Sequence, residues 1–479
     1  MPGEKKDFYM GKKIWRKIID GAFGVLVTVI LAVSMSGCGY SGVDDYLEAL
    51  GILDPEDYPE NSVYSTEELS LEPAFIISDD ASAIYNTKEL ETVEDVTSDY
   101  SVEGLSIETV EETGANKEDT QKREEVGITT ENIENIKKQQ EGLYAYERLT
   151  ASGKNLYAEI LQILESEGKD VVVSTTSDEA IEQVFDYVLM DHPEIFYVDG
   201  YSYTNYTLGD TITKITFSGN YLYDLDEVKR RQTGINDYVN KCLAGAPSSE
   251  DDYYAIKYVY EYIIDSTEYD LNAPDNQNIC SVFLNGRSVC NGYAKAAQYI
   301  LNKLGIECTL VTGTVDTNNS RGVRHAWNLV QCNNAFYYMD VTWGDSSFQT
   351  ASGETADASK LPRINYAYLN VTSSDIAVNH KVSNLISMPE CNSIADNYYV
   401  REGEYFTSAE LSLVADLFNR RYNDGSDNVT IKCSTPQIYD SLFEELITGR
   451  KVFDYIQGED KSQVSYTTFE EYGTIIFWL

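Results

Sequence analysis

Hydrophobic positions beyond residue 142 switch between a helical and a strand period. Leu156, Ile160, Leu161 and Leu164 recur at the spacing of one helix face, and Val171-Val172-Val173 reads as a buried strand. Ser177-Asp178 starts a second helix carrying Ile181, Val184, Phe185 and Val188. His192-Pro193 stops it, because the residue before proline disfavours helical backbone. Ile195 to Val198 and Ile212 to Phe217 read as a hairpin. The C-terminal stretch repeats this order. Leu411, Val414, Ala415 and Phe418 mark a helix, and Val429 to Ile431 a strand. Tyr439, Leu442, Phe443 and Leu446 mark a second helix, and Val464 to Phe469 and Thr474 to Trp478 two strands. The expectation is two αβ modules, residues 143–245 and 395–479, related by a weak internal duplication.

Between them, Ile256, Val259, Tyr260, Ile263 and Ile264 give one helix face. A loop runs from Asp270 to Arg287. From Cys290 an amphipathic helix follows, with Tyr293, Ala297, Ile300, Leu301 and Leu304 on one side and Gly305 as its stop. Cys308 to Val315 reads as a strand. His325 to Val330 and Phe336 to Trp343 alternate, joined by the turn signal Asn333-Asn334. A two-residue loop there sets His325 across from Thr342, with Asp340 as its diagonal neighbour on the same face. A three-residue loop would separate them. The two-residue turn therefore brings His325 and Asp340 together.

Composition narrows the function. Of 479 residues, 79 are Asp or Glu and 36 Lys or Arg, a net charge of −43. That disfavours nucleic-acid binding, which needs a basic face. Hydrophobic residues make up 42 %, enough for real cores. The length suits two or three domains. About half of the net charge lies in residues 41–130, with 25 acidic and 4 basic residues. This stretch is expected to be a self-repelling tether, with residues 39–142 as its full extent. Short apolar patches such as Ala74 to Ile77 are its candidates for local docking. Before it, Lys5, Lys6, Lys12, Lys13, Arg16 and Lys17 precede an uncharged run of 17 residues, Gly21 to Gly37. A permanent span needs about 20 apolar residues, so residues 1–38 read as an export signal. It ends in Met35-Ser36-Gly37-Cys38, which resembles a bacterial lipobox whose Cys38 takes the lipid. An uncleaved anchor is the alternative. Both place the rest of the chain outside the cytoplasmic membrane.

Cys290 opens its helix, where unsatisfied N–H groups and the helix dipole favour a thiolate. With His325 and Asp340 it gives a Cys-His-Asp arrangement. The thiolate attacks an acyl carbon. His325 stabilises it as imidazolium and protonates the leaving amine. Asp340 fixes the ring. The Cys290 N–H is an oxyanion donor, and the second donor is not legible.

Gly286 to Ala294, His325-Ala326-Trp327-Asn328 and Tyr338 to Trp343 resemble the bacterial transglutaminase-like core, of the cytokinesis and kyphoscoliosis-peptidase type. The resemblance covers roughly 100 residues. Asp191 to Val198 also resembles the region preceding this core in Firmicute-type lipoproteins. The resemblance implies an α+β fold with a papain-like core at residues 246–375. It implies a thioester acyl-enzyme and neither metal nor cofactor. Its members include transglutaminases, proteases, peptide glycanases and inactive scaffolds. The expected partners are a protein or peptide substrate, cell-wall peptide included, and the membrane through the lipid anchor. The acidic surface favours basic substrates over anionic wall polymers. The rival reading is a non-catalytic surface scaffold that keeps the fold.

Other residues carry bland readings. Trp327 and Trp343 read as core or cleft wall, and Tyr293 as packing. Asn328 is a structural strand residue and His192 a helix end. His380 gets no role. With only three histidines, a multi-histidine metal site would need all three to converge. Outside Cys38 and Cys290 six cysteines remain. Cys308 and Cys332 could pair, and no CxxC pair points to zinc.

Overall fold

The computed structural model describes residues 4–8, 75–78, 116–208, 211–316, 321–345, 362–383, 386–457 and 463–479. The expected export signal and Cys38 lie largely outside these, Cys38 entirely. Among the described residues no helix is long and apolar enough to cross a membrane.

The expected tether gives way earlier than residue 142. Helices α1 (Lys117–Glu125) and α2 (Thr130–Gln139) precede the first module. Asn116 and Asp119 cap α1 reciprocally, which overcomes its poor amphipathicity. Arg123 is buried against Glu159 at 2.8 Å, and Ile133 and Ile136 join the module's core. Upstream, the backbone of Glu4–Phe8 and of Phe75–Ser78 adds an edge strand to each of two sheets.

The first module contains α3 (Ala151–Glu165), β1 (Val171–Val172), α4 (Asp178–Asp191), β2 (Val198–Leu208) and β3 (Thr211–Tyr221). Ser177 caps α4 and His192 ends it, as the sequence predicts. The hairpin is longer than expected and starts at Val198, so Ile195 to Tyr197 lie before it.

The core follows. Helices α5 (Leu225–Gly245), α6 (Asp252–Ser266) and α7 (Cys290–Lys303) pack against an antiparallel sheet. Its strands are β4 (Cys308–Val315), β5 (Val323–Cys332), β6 (Ala335–Met339) and β7 (His380–Val382), in the order β6-β5-β4-β7. Asn333 has φ +54, the left-handed backbone that a two-residue hairpin turn requires. The predicted register holds, with Cys332 opposite Ala335 and Asn328 opposite Met339. The second strand is shorter than predicted. It ends at Met339 because Asp340 caps a one-turn helix, Val341–Gly344, through the amides of Thr342 and Trp343. Cys308 and Cys332 are both free, so the proposed pairing is absent. Cys308 pairs in register with Val330, not with Cys332.

The last module contains α8 (Leu411–Asn423), β8 (Asn428–Cys433), α9 (Pro436–Phe443), β9 (Gln463–Phe469) and β10 (Thr474–Trp478). Its topology repeats the first. In one, β3 lies between β1 and β2; in the other, β10 lies between β8 and β9, and these four pairings are antiparallel. The fold is α+β throughout.

Candidate active site

Cys290 is the first residue of α7 and is completely buried. The helix start is tightly seated. A Cβ on Gly292 would meet Ser288 Oγ at 2.0 Å and Ser281 Oγ at 2.4 Å, so only glycine fits there. Asn328 Nδ2 donates to Ala294 O at 2.9 Å, tying the strand of His325 to the helix of Cys290. Asn328 thus has the structural role expected of it. Cys290, Ala294, Ala326 and Trp327 share one buried cluster.

His325 lies on β5 opposite Gly313 of β4. Its Nε2 is 2.6 Å from Asp340 Oδ2, and both side chains are buried. Asp340 Oδ1 accepts from the amides of Thr342 at 2.9 Å and Trp343 at 3.1 Å. The helix cap that ends β6 therefore also orients the carboxylate. Burial alone would push Asp340 up. The neighbouring His325 and His380 outweigh burial and hold it well below the usual carboxylate range.

His380, to which the sequence reading gave no role, belongs to this site. It opens β7, pairs with Val315, and places Nε2 2.9 Å from the same Asp340 Oδ2. Its other ring nitrogen faces Asn379, and the Asn379 side chain meets the hydroxyls of Tyr368 at 3.0 Å and Tyr472 at 2.8 Å. No local motif announces His380. The only signal was scarcity: it is one of three histidines.

Aromatic rings wall the cluster. Trp327 lies nearly parallel to His325, with centroids 5.9 Å apart, and edge-on to His380 at 4.9 Å. Trp343 packs on His380 at 5.2 Å. Both tryptophans are site walls, as the sequence suggested. Tyr293 donates its hydroxyl to Asp345 at 2.6 Å, adding a hydrogen bond to its packing role. His192 stays at the end of α4, paired with Glu194 at 2.9 Å, outside the site.

His325, Asp340 and His380 are also a set whose ligand-type atoms come close enough for a metal. Two of the three histidines thus converge. The two imidazoles, however, share one carboxylate oxygen at direct hydrogen-bond distance. An ion about 2.0 Å from both His325 Nε2 and Asp340 Oδ2 would close the angle between them to about 80°, far from tetrahedral. The arrangement fits charge-assisted hydrogen bonds.

Residues 239–341 match the sequence model of the Transglutaminase-like superfamily. No curated protein matches the chain. Similar solved structures include a TGase, at 15 % identity and a TM-score of 0.21, covering 30 % of this chain and 44 % of that one. A proposed cysteine protease from Cytophaga hutchinsonii aligns at 14 % identity and a TM-score of 0.21, covering 29 % and 48 %. Menin, in a structure that reveals its binding site for the Mixed Lineage Leukemia protein, aligns at 16 % identity and a TM-score of 0.21, covering 48 % and 51 %. This chain therefore spans about half the length of these structures. Residues 239–341 are a transglutaminase-like superfamily domain, the α+β core that carries Cys290 on a helix and His325 and Asp340 around one antiparallel hairpin.

Proposed function

We propose that this chain is a thiol enzyme acting on peptide, isopeptide or side-chain amide bonds. Reduced Cys290 attacks the amide carbonyl and forms a thioester. His325 gives its proton to the leaving amine. Water or a second amine then releases the acyl group. Hydrolysis is favoured, because water is abundant and no feature of the chain marks an amine site. The observation that carries the reading is the buried 2.6 Å contact between His325 and Asp340 on a strand tied to the Cys290 helix.

The export signal and Cys38 motif support a location outside the cytoplasmic membrane, with Cys38 lipidated. Metabolic labelling with palmitate tests this: label is expected in the wild type and not in Cys38→Ala. Label in neither would remove the anchor from the proposal.

The reaction is tested with the reduced protein, a casein substrate and a fluorescent primary amine. New peptide termini without amine incorporation are expected, and both products should vanish in Cys290→Ala. Amine incorporation would convert the reading to transamidation. One observation favours the scaffold alternative: Cys290 is completely buried. Wild type and Cys290→Ala behaving alike after reduction would establish it.

A further inference from the structure

We propose that His380, Asn379 and Tyr472 are positioning residues for the Cys290–His325–Asp340 chemistry, so that the C-terminal module completes the site. The inference rests on the reading of Asp340 as the residue that orients His325.

With His380 neutral, the chain of contacts has one consistent proton arrangement. Asp340 is ionised and can only accept, so His380 must donate from Nε2. Burial lowers the affinity of His380 for a second proton, despite the nearby Asp340 charge. With a neutral ring, Nδ1 is an acceptor. The structure turns Asn379 Oδ1 to Nδ1 and Nδ2 to the hydroxyls of Tyr368 and Tyr472; a neutral ring calls for the half-turned amide, which offers N–H₂ to Nδ1 and accepts from the two hydroxyls. Amide oxygen and nitrogen exchange by a half-turn, so this orientation occupies the same space. In it every group donates to an acceptor. The titratable groups around His380 are Asp340, His325 and Tyr368, with Asp316 and Lys381 flanking the β4–β7 pairing.

Tyr472 comes from the C-terminal module. It ends the one-turn helix between β9 and β10, and Gly473, at φ +57, reverses the chain after it. Lys432 Nζ on β8 holds the Tyr472 carbonyl at 2.6 Å. A hairpin turn of one module thus delivers a phenol to the hydrogen-bond chain of another. Asp340 ends with four donors: two backbone amides and two imidazoles. Each donor favours its charged form, and together they fix the direction in which it holds His325.

Nitrogen NMR of histidine-labelled protein tests the chain without any substrate. Three histidines make assignment by single substitution direct. His380 is expected as the neutral Nε2–H tautomer near neutral pH, with its signals moved in Tyr472→Phe. A His380 that titrates normally, carries its proton on Nδ1, or ignores Tyr472→Phe would overturn the proposal. The second readout is the pH profile of Cys290 alkylation in reduced protein. His380→Phe removes a donor from Asp340, so the acid limb should move up by about one pH unit, a tenfold loss of rate on that limb. His380→Gln should restore it, and Tyr472→Phe should show a smaller shift in the same direction. A folded His380→Phe with the wild-type profile would overturn the proposal. An ordinary thiol profile in the wild type would instead sink the enzymatic reading, while the NMR result still decides the hydrogen-bond chain.

Discussion

One oxygen of Asp340, Oδ2, lies 2.6 Å from the Nε2 of His325 and 2.9 Å from the Nε2 of His380. A carboxylate shared in this way, with its second oxygen on two backbone amides, cannot turn or take a proton without losing bonds. It is therefore a fixed negative point for the His325 ring.

Asp340→Asn tests that charge. The amide keeps the shape but presents N–H₂ to groups that themselves donate. Turnover should fall by about 10³–10⁴-fold, the scale seen when the carboxylate of a triad is neutralised. The measurement is initial rate at saturating substrate, with near-UV circular dichroism to establish folding. A loss of less than tenfold would mean that His325 is held by something else.

His380 ties stability to pH. Its folded pKa lies below the ordinary 6.5, chiefly through burial, so the unfolded chain binds the proton first. Stability is full above about 6.5 and falls as pH drops through the window between that value and the folded one. His192 has the opposite sign. Burial would lower it, but its hydrogen bond to Glu194 and the charges of Glu194, Asp191 and Glu165 raise it. Its contribution is present at low pH and lost as pH rises through the raised value. The difference between wild type and His380→Gln isolates the first effect. Urea midpoints at about pH 7.5 and 5.5 should converge in His380→Gln, and an unchanged pH slope would refute the assignment.

The six other cysteines outside the expected lipidation site should be silent. Cys242, Cys280, Cys308, Cys332, Cys391 and Cys433 are buried and free. Burial pushes Cys280 and Cys391 up to about 11 and Cys242 and Cys433 up to about 12, with Cys308 and Cys332 raised further. In a fragment beginning after Cys38, reduced but folded, iodoacetamide should label none of these six near neutral pH, so that any single label lies on Cys290. Intact mass gives the count, and more than one label on folded protein contradicts the burial described.

Gly313→Ala should damage the fold and the site together. The new Cβ would lie 2.1 Å from the Lys381 carbonyl and 2.8 Å from the Trp327 ring. Neither the paired backbone nor the buried indole can retreat. The β4–β7 pairing that seats His380 should loosen, costing about 1–3 kcal/mol by analogy with overpacked cores. A thermal melt within error of wild type would show that the strand spacing is not tight there.

The sequence revealed the half of the site that is local. His325 and Asp340 are linked by one hairpin, and Asn333 supplies the left-handed turn residue that fixes its register. The Cys290 helix was legible from its apolar face and from Gly305, at φ +81. His380 was not legible. It reaches Asp340 from 40 residues away, on a three-residue strand, and a single hydrogen bond leaves no periodic trace. Tyr472 is further still, in another module. The early helices escaped for a different reason. Their charge resembles that of a tether, and their order comes from end-capping and the Arg123–Glu159 pair rather than from an apolar stripe. The paired αβ modules, suggested by element order alone, share their strand order as well.

The most direct test of the enzymatic reading is the rate of Cys290 alkylation against pH, in the reduced protein and in His325→Ala. An ordinary thiol, with a pKa near about 8.5, reacts slowly at about pH 6. Fast labelling of Cys290 at that pH, lost in His325→Ala, is the predicted result. Labelling that follows an ordinary thiol profile in both proteins, or a folded protein whose Cys290 does not label at all, would contradict it.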